Sequence, residues 1–417
     1  MRVKRIALAT ATVVGMAALS VIWAARQRPG TDFYAKWIAG RWFFTGHPLY
    51  VHVPGLRDAT YPPFAAFAFQ LFALFPLKAA AALFYFANLV FIPVAVLLTR
   101  RVADAYWPGR NQARWPLVAA IVLSAQFILN NLNLIQIDLG LFVLVLAGLA
   151  WYAEGRDVRA ATALVLAAAI KLIPIFWVGW LVLRGRRRAA LAVLPLGAAC
   201  LLLPVAERGP RQGVQDLKDF YGFVLQGFQH GRVIMTYTNQ DLNGAVYRLL
   251  RPSADSTDRD YRLLAASEAT AQTVYRAGAG LLLAAFFGVL IWLRLRGAPV
   301  TMFELASVFL IGHLLSAMTW KSHLVTLLFV LYPFLALPFR ELPRPLRWSV
   351  YAVLALAAVV GLTGRDVVGD TLHHAIGGYS LIAWMMVGLF TLSLVLAVRF
   401  ARQAAAGPLD LVNTDRA

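Results

Sequence analysis

The sequence predicts an all-α polytopic membrane protein with about twelve transmembrane helices, and three observations carry that prediction. Of 417 residues, 60% are hydrophobic and only 14% are charged, where a soluble chain carries about 25% charged residues. Apolar runs near the length of a crossing recur from end to end, a full crossing needing about 20 residues and a short one about 17. The 39 Lys and Arg exceed the 20 Asp and Glu by 19, yet the basic residues sit in short stretches between apolar runs. That is the positive-inside pattern of a membrane protein, and it argues against nucleic acid as the partner.

Taken in order, the first run is 6–26, preceded by Met1-Arg-Val-Lys-Arg5. Its apolar core is too long for a signal peptide, so it reads as an uncleaved first span with a cytoplasmic N-terminus. Residues 62–76 open with Pro62-Pro63 and are short, which fits a helix lying in the outer interface. Spans follow at 79–99, 116–130 and 137–152. The run 160–184 holds Lys171 and Pro174 near its middle, where a lysine is expensive in lipid. It reads as two short crossings that meet on the outer side at Lys171-Leu-Ile-Pro174. The remaining runs are 189–205, 277–295, 301–316, 324–339, 347–363 and 380–398. Counting each run once instead would put the Arg100–Arg114 loop outside. The split reading keeps every basic cluster inside, from Arg100–Arg114 to Arg399–Arg402, and is preferred for that reason. The arginines Arg184–Arg188 serve here as an orientation signal.

Both termini are then cytoplasmic. Residues 1–402 form one transmembrane domain with outer loops at about 27–78, 206–276 and 364–379, and 403–417 form a short cytoplasmic tail. The single cysteine, Cys200, lies in an apolar run and excludes an intramolecular disulfide.

The polar residues that remain are concentrated on the outer face. Asp32 stands at the end of the first apolar segment in Thr31-Asp32-Phe33-Tyr34. A carboxylate there either ends a helix or does chemistry at the bilayer surface, with Asp58 as the fallback. Lys171, Lys321 and Arg41 are cations suited to a phosphate, and His323 can act as acid, base or ligand. Tyr61 and Trp320 offer flat faces for a sugar ring, while Gln136 and Asn239 either touch substrate or cap loops. No Gly-rich phosphate-binding signature is present. No His/Cys cluster has zinc spacing either, and the adjacent pair His373-His374 is not one helical turn apart. The set suits transfer of a group from a lipid-linked phosphate to an acceptor hydroxyl.

The order Asp32-Phe-Tyr, Gly46-His-Pro-Leu-Tyr50 and Tyr61-Pro62-Pro63 resembles the first loop of glycosyltransferase family 87. The likeness continues through Asn133-Leu-Ile-Gln136, Ala168-Ala-Ile-Lys171-Leu-Ile-Pro174, Asn239-Gln240 and Trp320-Lys-Ser-His323. Departures occur at Ile135 and Asp138, where the family commonly has Gly and Asn, and at Asp241, Ala317 and Ser322. The resemblance implies a GT-C-like fold and an inverting transfer of a hexose, mannose above others, from a polyprenyl-phosphate donor to a lipid or glycan acceptor. It also implies that the transfer needs no cofactor and no metal. It implies Asp32 as general base, with Lys171 and His323 at the donor phosphate and Arg41, Tyr61, Gln136, Asn239 and Trp320 as substrate contacts. An inner-membrane enzyme of a bacterium, its site open to the periplasm, is the expected setting. A transporter or flippase of a lipid-linked precursor is the competing expectation, but it would favour repeated halves and polar broken helices at the midplane.

Overall fold

A computed structural model of the chain describes residues 2–57, 60–107, 113–229, 233–252 and 259–405, and among these all regular structure is helical. The first half comprises α1 (Arg2–Ala24), α2 (Asp32–Thr45), α3 (Pro63–Ala73), α4 (Leu77–Tyr106), α5 (Trp115–Leu134), α6 (Asp138–Ala153), α7 (Asp157–Ile170), α8 (Ile175–Arg184) and α9 (Arg187–Arg208). The second comprises α10 (Pro210–Phe220), α11 (Gln226–Gln229), α12 (Leu242–Leu250), α13 (Glu268–Leu295), α14 (Met302–Leu314), α15 (Leu327–Leu335), α16 (Arg344–Leu362), α17 (Arg365–Gly378) and α18 (Leu381–Ala405).

Six of these, α4, α5, α9, α13, α16 and α18, are long and apolar enough to cross a membrane. The protein is a multi-pass membrane protein. Other apolar runs give shorter helices, among them α6, α8 and α14. At about 1.5 Å rise per residue such helices fall short of the ~30 Å hydrocarbon core.

The expected interruptions are present. Residues 62–76 give the 11-residue α3, with Pro63 in its first turn, where a missing N–H costs nothing. The run 160–184 breaks after Ile170: Lys171 is extended (φ −147°, ψ 134°), and α8 begins only past Pro174. The polar stretch 206–276 holds more helix than its composition suggests, including α10 and α12. Its last helix, α13, starts at Glu268 under a Ser267 cap whose hydroxyl accepts from the Thr270 amide. Polar residues in that first turn hid the start from a hydropathy reading.

The chain divides into two compact units. The first comprises residues 1–98, 127–175 and 191–232. Thr31 caps its α2, accepting from the Tyr34 amide, and Gly46 ends it at φ 79°, a left-handed geometry that suits glycine. Helices α2 and α3 approach so closely at Gly40 that a Cβ there would lie 2.6 Å from the Phe69 carbonyl carbon. Arg208 secures the far end of α2, donating to the carbonyls of Trp42 (3.1 Å), Phe43 (2.9 Å) and His47 (2.7 Å). Its Nε is 2.6 Å from the Asp216 carboxylate. The guanidinium thus satisfies carbonyls left open at a helix C-terminus, where a cation is favoured.

The second unit comprises residues 99–126, 176–190 and 233–417. Every residue of α14 is buried, and α18 packs along it. Arg184 is more than an orientation signal here. It grips buried Glu304 through Nε (2.8 Å) and a second guanidinium nitrogen (3.0 Å), and the Trp180 indole donates to the same carboxylate at 2.8 Å.

Candidate functional site

A group of charged residues, most of them buried, lies in the first unit around Tyr61. Asp32 occupies the first turn of α2, a position that favours an acid electrostatically. Its side chain is 6% exposed. Oδ1 meets the Arg57 guanidinium at 2.5 Å, and Oδ2 has no hydrogen-bond partner among the described residues. One turn further, Lys36 is 3% exposed and its Nζ donates to the Asp32 carbonyl at 3.0 Å. The same ammonium lies 5.6 Å from the centre of the Tyr61 ring, and the Lys171 ammonium lies 5.9 Å from it. Lys171, in the break after α7, pairs with Asp138 at 2.7 Å.

The polar scaffold is local. The Tyr61 hydroxyl donates to Gln136 at 3.4 Å, and the Tyr50 hydroxyl donates to the Tyr61 carbonyl at 2.6 Å. Gln136 follows Ile135, a β-branched residue held at φ 47°. That backbone costs about 1–3 kcal/mol, and such strain clusters at functional sites. Burial pushes the Lys36 ammonium down to about 8, with Asp32 opposing the shift and Lys171 reinforcing it. Burial also pushes the Tyr61 phenol well above its ordinary value, and Asp138 and Asp32 add to that. Perturbed buried groups of this kind concentrate at functional sites.

Of the residues expected from the sequence, Asp32, Tyr61, Gln136 and Lys171 come together here. Arg41 does not join them; it is exposed and lies over the Trp37 ring at 5.6 Å. Asp58 falls outside the described residues. The second unit holds the others. The His323 Nδ1 accepts from the Trp320 amide at 3.3 Å and the two rings stack, so His323 closes the turn before α15. Asn239 is fully buried and engaged by backbone. Its amide donates to the Ile234 carbonyl and Asp241, and its oxygen accepts from the Thr319 amide. That is a loop-holding role. His373 approaches Lys321 at 3.4 Å, and His374 lies against Tyr237.

Sequence reasoning missed Lys36, Arg57 and Asp138. Lys36 follows Asp32 by four residues, so one helix face carries both, and that signal was available. Asp138 pairs with a lysine 33 positions away, which no local pattern shows. The pair is nearly buried, with side-chain exposures of 12% and 8%. Asp138→Asn leaves Lys171 without its counter-charge and should lower stability by about 1–3 kcal/mol. Adding Lys171→Met should restore most of the loss. Thermal unfolding in detergent would check both, and an unchanged midpoint in Asp138→Asn would show the pair to be idle.

The sequence profile of glycosyltransferase family 87 matches residues 59–317. The chain belongs to glycosyltransferase family 87. It is therefore a membrane glycosyltransferase, and the transporter expectation gives way to an enzyme. The match takes in Tyr61, Gln136, Asp138, Lys171 and Asn239, while Asp32, Lys36, Arg41, Trp320 and His323 lie outside it. Among curated proteins, the family 87 chain is 27% identical over 351 residues to the polyprenol-phosphate-mannose-dependent α-(1-2)-phosphatidylinositol mannoside mannosyltransferase of Mycolicibacterium smegmatis. That alignment spans 78% of this chain and 73% of the relative. Among solved structures, it resembles ArnT from Cupriavidus metallidurans bound to undecaprenyl phosphate at 15% identity and a TM-score of 0.43, covering 97% of this chain and 79% of that one.

Proposed function

We propose that the protein transfers mannose from a polyprenyl-phosphate donor to a hydroxyl of a lipid or glycan acceptor at the outer face of a bacterial inner membrane, both termini being cytoplasmic. The observation that carries this reading is Asp32, a buried carboxylate with one oxygen held by Arg57 and the other unengaged among the described residues. The donor and sugar in the mycobacterial relative's name support the same choice here. The basic residues between the apolar runs support the orientation.

In the reaction as proposed, Asp32 removes the proton from the acceptor hydroxyl while that oxygen attacks the anomeric carbon. The bond from that carbon to the phosphate oxygen breaks, its electron pair leaves with the polyprenyl phosphate, and configuration inverts in one displacement. Cations near the leaving phosphate stabilise the charge that develops on it. No nucleotide and no metal takes part.

The test is transfer of radiolabelled mannose from polyprenyl-phosphate-mannose to a lipid extract by purified protein, with and without chelator. Expected is a mannolipid product at a rate the chelator leaves unchanged. Absence of product with this donor, together with product from a polyprenyl-phosphate pentose or glucose, would overturn the choice of sugar.

A further inference from the structure

Five charged groups meet around Tyr61: the carboxylates of Asp32 and Asp138, and the cations Arg57, Lys36 and Lys171. Two ion pairs, Arg57 with Asp32 at 2.5 Å and Lys171 with Asp138 at 2.7 Å, each engage one carboxylate oxygen, Oδ1, and take up two of the cations. Lys36 is the cation left over, and it is the deepest of the three, 3% exposed. An ammonium has three N–H donors, and one of them reaches the Asp32 carbonyl at 3.0 Å. Beside it is a cavity of about 30 Å³ lined by Lys36, Tyr50, Tyr61, Ala35, Ala39 and Phe69 among others. That space admits a water, and no carboxylate lines it.

Lys36 also reaches back into the first turn of α2, where the helix macrodipole opposes a cation. Burial and dipole both work against the charge, and Asp32 and Asp138 oppose them without forming an ion pair with it. Among the described residues the cluster is short of one anion.

We propose that Lys36 is a donor-binding residue whose ammonium takes a phosphate oxygen of the lipid-linked sugar and supplies the charge that the leaving phosphate requires. This rests on the reading of the donor as a polyprenyl-phosphate sugar. Lys36 makes no ion pair with the Asp32 carboxylate and remains available to an anion of the ligand. Lys171, by contrast, already has a carboxylate partner.

The experiment is equilibrium binding of polyprenyl phosphate, and separately of inorganic phosphate, to the full chain in detergent. Wild type is compared with Lys36→Met, Lys36→Arg and Lys171→Met. Lys36→Met should weaken polyprenyl phosphate on the order of ten- to a hundredfold, Lys36→Arg should stay within a few-fold of wild type, and Lys171→Met should lose less than Lys36→Met. The unfolding midpoint of Lys36→Met should not drop, since an apolar side chain replaces a buried charge. A purely structural lysine would give the reverse: a lower midpoint with intact binding.

Wild-type affinity should fall as pH rises through about 8, where Lys36 loses its proton, and Lys36→Arg should abolish that fall. Of the groups facing Lys36, the Tyr61 phenol stays protonated there, and Arg57, Asp32, Asp138 and Lys171 are common to wild type and Lys36→Arg. Equal affinity of wild type and Lys36→Met for polyprenyl phosphate would overturn the assignment. So would loss of inorganic phosphate binding alone, which would mark a free-anion site. Wild type that binds neither ligand would overturn the donor reading and the Lys36 assignment with it.

Discussion

Asp32→Asn should reduce sugar transfer by about 10²–10⁴-fold, the range contributed by a positioned general base, while the chain stays folded and still binds donor. The amide has the size of the carboxylate but cannot accept a proton. Helix α2 does not depend on the charge, because Thr31 caps it at one end and Gly46 and Arg208 hold it at the other. The Arg57 pair is lost, but its guanidinium is 46% exposed although the Asp32 side chain is only 6% exposed, and a pair that reaches solvent on one side is worth about 1 kcal/mol. Stability and chemistry should therefore separate. In steady-state kinetics the variant should lose kcat, with the donor KM within a few-fold of wild type. A variant that keeps transfer within a few-fold would place the base elsewhere. A raised donor KM at unchanged kcat would recast Asp32 as a binding group.

How far the site was legible depended on the range of each contact. Pro62-Pro63 set α3 apart, and Lys171 with Pro174 marked the break after α7. Both are local steric and electrostatic statements, and the folded chain keeps them, whereas Asp32, read as a possible helix end, stands instead in the first turn of α2 under the Thr31 cap. The i, i+4 step from Asp32 to Lys36 was equally local and was overlooked, because a lysine in an aromatic-rich outer loop reads as a solvated charge. Contacts between distant segments were not legible. Nothing near Asp138 points to Lys171, and nothing near Asn239 points to the Thr319 backbone. Hydropathy was least informative about helix ends. In a chain 60% hydrophobic, lipid-facing and protein-facing sides are both apolar, so the amphipathic stripe that locates a helix in a soluble protein is absent. The start of α13 was misplaced for that reason. His323 and Asn239 looked like ligands because polar residues in an apolar chain stand out, and much of their hydrogen bonding turned out to serve the backbone.

Arg184 shows the same limit from the other side, and it carries the largest expected effect on stability. Its run of arginines orients the chain by composition, yet Arg184 alone among them enters a buried bidentate pair. Side-chain exposures are 5% for Arg184 and 0% for Glu304, and the guanidinium also donates to the Ala298 carbonyl at 2.9 Å. Glu304→Ala would strand this guanidinium and the Trp180 indole N–H without their acceptor, so it should cost about 3–5 kcal/mol. Glu304→Gln keeps an oxygen for Trp180 and should cost less. Combining Arg184→Met with Glu304→Leu removes both charges and should recover most of the loss, leaving the Trp180 donor as the residual penalty. Arg187→Gln and Arg188→Gln, at exposed positions, should leave the unfolding midpoint unchanged. Thermal unfolding of the purified variants in one detergent would rank them. A Glu304→Ala midpoint equal to that of the exposed-arginine variants would return Arg184 to a purely topological role, whereas the expected order would show that one residue of a topogenic cluster also holds the second unit together.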